Sequence, residues 1–359
     1  MPTPLSTPTW SVGRVFAEIS NVTLRDPTTA LFDPVSASWH VWCTHVAGGG
    51  NQPGYRGVIW HWSLKAPFSD LLNATTSWVG EPALGTSGVA GSFDASGVFT
   101  PGAARECNPD GSACVWWLFF GGVANQSAAH TEAIGVARAS SPFGPFERHP
   151  DNPVFSPADA DSRWCGSDRA ARVDEIKPSS VGGQKLLVVK SVCANFTALP
   201  VVYSPVDPTS WGPPYRPASP SGMPLFAAAD TCEQRGFEEP TLYVGPDGWL
   251  TFLGHNHGNC GEAYKYAHFV SCTRGSLEGP WARLPLFGGA AAFEPLPIPL
   301  AGDGVFGGAI HQSAWIDFPE GRLTFMDTAW TWSNVSLCSN RSSGVPVRVA
   351  VRVDARGGG

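Results

Sequence analysis

The chain of 359 residues is poor in charge: Asp, Glu, Lys and Arg make up 15%, with 23 Lys plus Arg against 30 Asp plus Glu. The resulting formal net charge of −7 leaves no basic excess with which to neutralise a phosphate backbone, so nucleic acid is not expected as a partner. No stretch nears the ~18 consecutive apolar residues of a membrane-spanning helix, so no membrane partner is expected either. The opening MPTPLSTPTW lacks the charged-then-apolar layout of a signal peptide. None of the nine cysteines stands in Cys-Xaa-Xaa-Cys spacing, which removes the simplest zinc site. Nor does a Gly-rich loop join a strand to a helix, as a phosphate-using enzyme would need. Apolar residues do not recur at 3.6 spacing over any long segment, so helix is a minor component.

What the chain has in quantity is 43% hydrophobic residues, 41 Gly and 33 Pro, spread along its length. The apolar residues fall in short runs rich in Val, Phe, Trp and Leu, bounded by Gly, Pro, Asn or Asp, which is the pattern of strands and turns. The fold class is all-β. At this length such a chain is either two sandwiches or one closed repeat, and a repeat is present. One strand class reads WHVWCTHV (39–46), VWWLFFGGV (115–123), KLLVVKSV (185–192), WLTFLGHNH (249–257) and RLTFMDTAW (322–330). The next strand of each unit reads GVIWHWSL, AIGVARASS, LPVVYSP, KYAHFVSCT and VPVRVAVRV. Two units run on into nearly the same tail, SPFGPFER (141–148) and SLEGPWAR (276–283), the clearest trace of duplication.

A polar anchor precedes each copy of the first class: Asp33, Asp94, Asp174, Glu238 and His311, spaced 61, 80, 64 and 73 residues apart. A four-stranded blade with its turns takes about that much chain, so five units fill the sequence. The expected architecture is one five-bladed β-propeller over 1–359, with four-stranded antiparallel blades and residues 1–30 closing the ring. The first strand of every blade lines the central channel, so residues far apart in sequence share one pocket there. Loops over that pocket are expected at 47–58, 102–113, 149–171 and 212–235.

Six Asn-Xaa-Ser/Thr sequons, at Asn21, Asn73, Asn125, Asn195, Asn334 and Asn340, lean toward a secreted glycoprotein, although Ser and Thr are abundant enough to produce sequons by chance. Cys107 and Cys114 flank the turn NPDGSA and suit a hairpin disulfide in an oxidising compartment; buried free thiols are the alternative.

Three carboxylates are read at the start of an innermost strand among apolar neighbours: Asp33, Asp174 and Glu238. Drawn into a channel walled by aromatics, a carboxylate loses solvation, and a neighbouring carboxylate raises its pKa further, so that an acid and a base coexist. Cleavage of a glycosidic bond needs such a pair. Asp94, in FDASG, competes for the base, but an Asp followed by small residues and Gly is also ordinary turn chemistry, with its side chain on backbone amides or at the pocket rim. His255 and His257 share a face and would need a third ligand to hold a metal; no metal is assigned there. Among the 15 tryptophans most must pack between blades, while Trp39, Trp60 or Trp117 are candidates for a flat sugar-binding face.

With these residues in place the chain resembles the five-bladed propeller glycoside hydrolases of families 43, 117 and 32. The resemblance rests on Asp33-Pro34 before WHVWCTH, on Asp94 through Pro101, on Asp174 in the third unit, and on Gly236-Phe237-Glu238-Glu239-Pro240 in the fourth. It departs from that group at Glu175, where Pro is expected, and at Phe237, where a His often stands. The resemblance implies Asp33 as general base, Asp174 as pKa modulator and orienter, and Glu238 as general acid. Glu239, whose side chain would face away if Glu238 faces the channel, is a substrate-binding candidate. His311 is similarly implied to lie beside an axial calcium or a water cluster; a satisfied core histidine is the alternative, since calcium prefers oxygen donors. No cofactor is required.

The expected activity is that of a secreted, monomeric glycosidase acting in an exo or side-chain-removing fashion on a plant or algal oligosaccharide or polysaccharide. Water attack with inversion predicts carboxyl groups of Asp33 and Glu238 about 6.5–9.5 Å apart, against about 5–5.5 Å for a covalent intermediate. The rival is a propeller that binds carbohydrate without cleaving it, because a closed β scaffold hosts many functions.

Overall fold

The computed structural model describes residues 10–14, 23–25, 28, 31–46, 57–65, 79–108, 110–125, 132–157, 170–181, 183–193, 198–218, 237–244, 249–256, 268–274, 276–279, 282–284, 315–317, 322–325, 330–333 and 347–351. All regular structure among them is strand. Strand β1 (Trp10–Arg14) precedes the first sheet, which holds β2 (Thr23–Arg25), β3 (Leu31–Asp33), β4 (Ser38–Val46), β5 (Gly57–Lys65) and β6 (Val79–Leu84). Its order is β2-β4-β5-β6, with β3 also paired to β4, so that β2 and β3 share the innermost place. The second sheet is β7 (Gly97–Glu106), β8 (Val115–Val123), β9 (Ala133–Ala139) and β10 (Glu147–Arg148), hydrogen-bonded in chain order. A third repeats the plan with β11 (Ala170–Val181), β12 (Gln184–Cys193), β13 (Ala198–Pro205) and β14 (Tyr215–Pro217). The fourth has β15 (Phe237–Val244), β16 (Trp249–Asn256), β17 (His268–Arg274) and β18 (Ala282–Leu284). Among the described residues a fifth sheet has three strands, β19 (Trp315–Asp317), β20 (Arg322–Phe325) and β21 (Trp330–Ser333). Finally β22 (Val347–Val351) pairs in parallel with β1, joining the two ends of the chain.

The first strands of successive sheets pack on one another, β3 together with its partner β4 on β7, β7 on β11 and β11 on β15, which is the inner wall of a propeller. The repeated apolar runs are the second strands, β4, β8, β12, β16 and β20, and not the channel-lining first strands as expected. The reason is burial. A second strand has a strand on each side and a neighbouring sheet over each face, so it becomes the most continuous apolar run of its unit. In β8 the residues alternate: Trp116, Leu118 and Phe120 pack toward the first sheet with Trp42 and Ile59, whereas Trp117 and Phe119 pack toward the third with Val173, Ile176 and Leu187. The last unit also departs from expectation. RLTFMDTAW spans β20 and the start of β21, and VPVRVAVRV holds β22, whose partner is β1. Of the expected loops, 102–113 loses residues 102–106 to β7.

The duplicated tails SPFGPFER and SLEGPWAR make the same turn into the fourth strands β10 and β18. Gly144 and Gly279 donate their N–H groups to the carbonyls of Ser141 and Ser276, and both have left-handed backbones, with φ of 82° and 85°. An L side chain is strained in that conformation, which accounts for Gly at both positions.

The seam between the first two sheets contains a buried polar group. His40 on β4 and His61 on β5 stack at 5.1 Å, and His40 Nδ1 lies 2.9 Å from His61 Nε2. His61 Nδ1 faces Glu81 Oε1 on β6 at 3.4 Å. Trp42 and Trp116 pack against the imidazoles, and Phe143 covers both edge-on. Desolvation, with the neighbouring His61 acting in the same sense, lowers the His40 pKa to about 3; desolvation alone lowers that of His61 to about 4. Both are neutral at pH 7.

Candidate active site

Three contacts between sheets put the first strands in axial register. The N–H of Thr100 on β7 donates to Thr44 Oγ1 on β4 at 2.9 Å. Gly102 lies directly against the carbonyl of Ile176 on β11, with no room for a Cβ. The Ser179 hydroxyl donates to the carbonyl of Leu242 on β15. Carried along neighbouring first strands, those offsets set Thr100 close to the level of Asp174, and Glu238 within about one residue of Glu175.

Near that level the first strands of the second, third and fourth sheets slip against their second strands. The ladder between β7 and β8 breaks between Phe99 and Gly102, that between β11 and β12 between Val173 and Glu175, and that between β15 and β16 between Glu238 and Thr241. Each slip carries one extra residue: Thr100 and Pro101 together oppose Phe120, Asp174 stands between two paired residues, and Glu239 and Pro240 together oppose Gly254. The first sheet slips at the same height. Arg25 faces Thr44, and three residues on Thr28 exchanges hydrogen bonds with Trp42, giving its N–H to the Trp42 carbonyl at 2.8 Å and receiving the Trp42 N–H on Oγ1 at 3.1 Å. Three chain steps thus pass two partner positions. Bulges re-aim side chains and gather beside active sites; here the slips fall near the starts of the innermost strands of the first four sheets, a partial ring.

Two expected site residues, Asp174 and Glu238, have their backbones in this ring, on neighbouring first strands. Glu238 faces His255 across the ladder, and Glu239 follows inside the slip. Their side chains, His257 and His311 lie outside the described residues. Among the described residues no group of three His, Cys, Asp or Glu side chains is arranged to hold a metal ion.

Asp33 is elsewhere. It ends β3 instead of starting an innermost strand, opposite Ser38, which is six residues from Thr44 on β4, or about 20 Å along the strand. Its carboxylate caps the β3–β4 turn, accepting from the Val35 and Ser36 N–H groups, from Ser36 Oγ at 2.6 Å and from Arg105 Nη1 at 3.0 Å. Burial acts to raise its pKa, but the Ser36 and Val35 hydrogen bonds and the Arg105 charge outweigh it and hold the carboxyl below its ordinary value. Asp33 thus stands at the far end of β4 from Thr44. The Asp-Pro rule that selected Asp33 is met equally by Asp26-Pro27. Asp26 itself lies outside the described residues. The Asp-Pro signal thus occurs twice in the first unit.

The end of the ring that holds Asp33 is stitched together. Glu106 takes hydrogen bonds from Lys185 Nζ at 2.9 Å and from the Trp211 N–H at 3.0 Å, linking the second and third sheets. Cys107 and Cys114 are disulfide-bonded, as their spacing suggested, and close the β7–β8 hairpin.

Asp94 is a structural carboxylate, buried at 1% exposure. It accepts from Ser92 Oγ at 2.9 Å and from Arg148 Nε at 2.7 Å instead of from the backbone amides expected of its turn. Phe93 and Asp94 lie over Gly135 and Gly122, where a Cβ would collide with them, so this segment crosses the face of the second sheet on its way inward. Trp39 and Trp117 are buried in the core and offer no face to a sugar; Trp39 packs on Phe32. Trp60 is half-buried and stacks on His45 at 4.5 Å.

Glu175 departs from the pattern for a visible reason. It is buried at 3% exposure and accepts a 2.6 Å hydrogen bond from Lys190 Nζ, its ladder partner on β12. A lysine within the apolar run LLVVKSV was the signal that a buried counter-charge must face it.

No family model and no curated protein sequence matches the chain. Solved structures do match. An endo-arabinase from Bacteroides thetaiotaomicron is 14% identical with a TM-score of 0.53, and the alignment covers 99% of each chain. The beta-fructofuranosidase BmSUC1 of Bombyx mori, from family GH32, is 14% identical with a TM-score of 0.53 over 89% of this chain and 55% of its own. Zg3597, a family 117 glycoside hydrolase of the marine bacterium Zobellia galactanivorans, is 11% identical with a TM-score of 0.50 over 78% and 75%. The fold is that of the β-propeller glycoside hydrolases. The suspected resemblance therefore holds at the level of fold, and in that fold the ring of slips around Asp174 and Glu238 is the candidate active site.

Proposed function

We propose that the protein is a glycoside hydrolase, cleaving an oligosaccharide or polysaccharide of plant or algal origin in an exo or side-chain-removing fashion with inversion. Glu238 is the general acid and Asp174 its modulator and orienter. For the base, the role first given to Asp33 passes to Asp26, because a carboxylate capping a turn and paired with Arg105 is held ionised and occupied about 20 Å along β4 from Thr44. The observation that carries the proposal is the coincidence of register slips in adjacent first strands at the height of Asp174 and Glu238. Secretion is supported by the Cys107–Cys114 disulfide, by a further disulfide at Cys193, and by the sequon at Asn125, exposed just beyond β8.

The test is turnover of aryl glycosides and of arabinan, xylan, fructan and agar oligosaccharides by the wild type and by Asp26→Asn, Asp174→Asn, Glu238→Gln and Asp33→Asn. The first three variants lose about 10²-fold or more in kcat, the scale of general acid–base catalysis. Asp33→Asn keeps its turnover and melts earlier. Binding of sugar without turnover, unchanged in every variant, would establish the non-cleaving propeller instead.

A further inference from the structure

Positive φ at a non-glycine residue occurs three times among the described residues, at Ala37, Ala113 and Thr100. The two alanines sit in exposed turns, where such a backbone is unremarkable in cost. Thr100 is different: it is 4% exposed, lies inside β7 and has φ of 43°. A branched Cβ clashes in the left-handed region, and the Pro101 ring pushes the preceding residue toward extended conformations. The chain is therefore doubly removed from its preference at one point, and such strain persists only where surrounding structure over-determines it.

The determinants are visible. Thr44 Oγ1 accepts the Thr100 N–H, while the Thr44 methyl and the Val98 carbonyl crowd the space above Gly57, where a Cβ would lie 2.7 and 2.8 Å from them. Two residues on, Gly102 is seated against the Ile176 carbonyl. Thr100 is thus clamped from the first sheet, and the strand beyond it is clamped by the third. In a regular ladder β7 would pass this point without the elbow. The elbow lies at the height of Asp174 and within one residue of that of Glu238.

We propose that Thr100 and Thr44 form a positioning device: a strained elbow, fixed by the Thr44 hydroxyl, that sets where the innermost strand of the second sheet meets the sugar. This rests on the glycosidase proposal above. Neither residue is given a chemical role; each acts through the backbone it places.

The experiment compares kcat and KM of wild type, Thr44→Val, Thr44→Ser and Thr100→Gly on whichever substrate of the panel the wild type cleaves. Thr44→Val keeps the shape and removes the acceptor, Thr44→Ser keeps the acceptor, and Thr100→Gly keeps the N–H donor and accepts the positive φ at no steric cost, leaving the elbow in place. The expected result is a loss of at least about tenfold in kcat/KM for Thr44→Val, as a small misplacement of a site requires, with turnover close to wild type in Thr44→Ser and Thr100→Gly. A purely structural role would lower the melting point of Thr44→Val while leaving kcat and KM of the folded enzyme unchanged, and would overturn the inference. If Thr44→Val does not fold, Thr44→Cys, close in size to Thr44→Ser but with only a weak acceptor, decides in its place. A wild type that cleaves nothing in the panel overturns the glycosidase proposal and this one with it; an active wild type with a fully active Thr44→Val variant overturns only this one.

Discussion

Acidification should unlock the seam between the first and second sheets before the carboxylates of the fold are protonated. His40 and His61 have folded-state pKa values of about 3 and about 4, against 6.5 when unfolded. A histidine depressed in the folded state leaves stability unaffected above its unfolded pKa. Below it, the unfolded chain binds protons that the folded chain refuses, so stability falls from about pH 6.5 until the folded pKa is reached. Each group costs about 1.4 kcal/mol per pH unit inside that window, so the pair removes roughly 3–5 kcal/mol between pH 7.5 and 4.5. That is a large share of the roughly 5–15 kcal/mol that holds an ordinary domain together. The charged neighbours are few: Glu81 from β6, half-exposed, and Asp33 and Arg105 from β3 and β7, whose opposed charges act on His40 in opposite senses. Asp33 titrates below 3.8, outside the window. The measurement is a urea midpoint at pH 7.5, 6.5, 5.5 and 4.5, followed by tryptophan fluorescence, because Trp42 and Trp116 touch the imidazoles. The reference is the His40→Leu, His61→Leu double variant, in which the pH dependence flattens; His45, also lowered by partial burial, is common to both proteins and cancels. Equal pH slopes in the two proteins, or a wild type as stable at pH 4.5 as at 7.5, would refute the assignment.

Three further outcomes follow from contacts elsewhere. Lys190→Met removes the buried counter-charge that Glu175 accepts from and costs about 3–5 kcal/mol in chemical denaturation, whereas the Glu175→Leu, Lys190→Met pair recovers most of that loss. Gly122→Ala drives a methyl into the Phe93 ring and the Asp94 Cβ, costing about 1–3 kcal/mol in the same assay, while Gly85→Ala, with open space around it, is close to neutral. Asn125→Gln removes one glycan from the chain secreted by eukaryotic cells, read as a step in gel mobility that enzymatic deglycosylation abolishes; equal mobility before and after the substitution would show the sequon unused.

Strand content and repeat were legible because burial writes them into residue type. Runs such as VWWLFFGGV exist only where a strand is covered on both faces, and the duplicated Gly-Pro tails mark a turn that only glycine accommodates. The assignment of those runs to the channel failed for the same reason, since the most buried strand of a blade is its second. Asp174 and Glu238 were picked out by local pattern, and Asp33 by the proline after it, a feature Asp26 shares. What local pattern does not carry is that Asp33 ends β3 opposite Ser38, a matter of pairing with β4. The Thr44–Thr100 hydrogen bond joins residues 56 apart and left no trace in either segment alone.

By itself the sequence determined that this is a β protein of repeated four-stranded units, since alternation, turn residues and apolar runs are properties of neighbouring residues and need no partner to be read. Tertiary structure decided the heights: which slips align, which carboxylate meets an arginine, and which histidines are forced together without charge. Those depend on distances between strands many residues apart, and such distances are set only when the sheets pack.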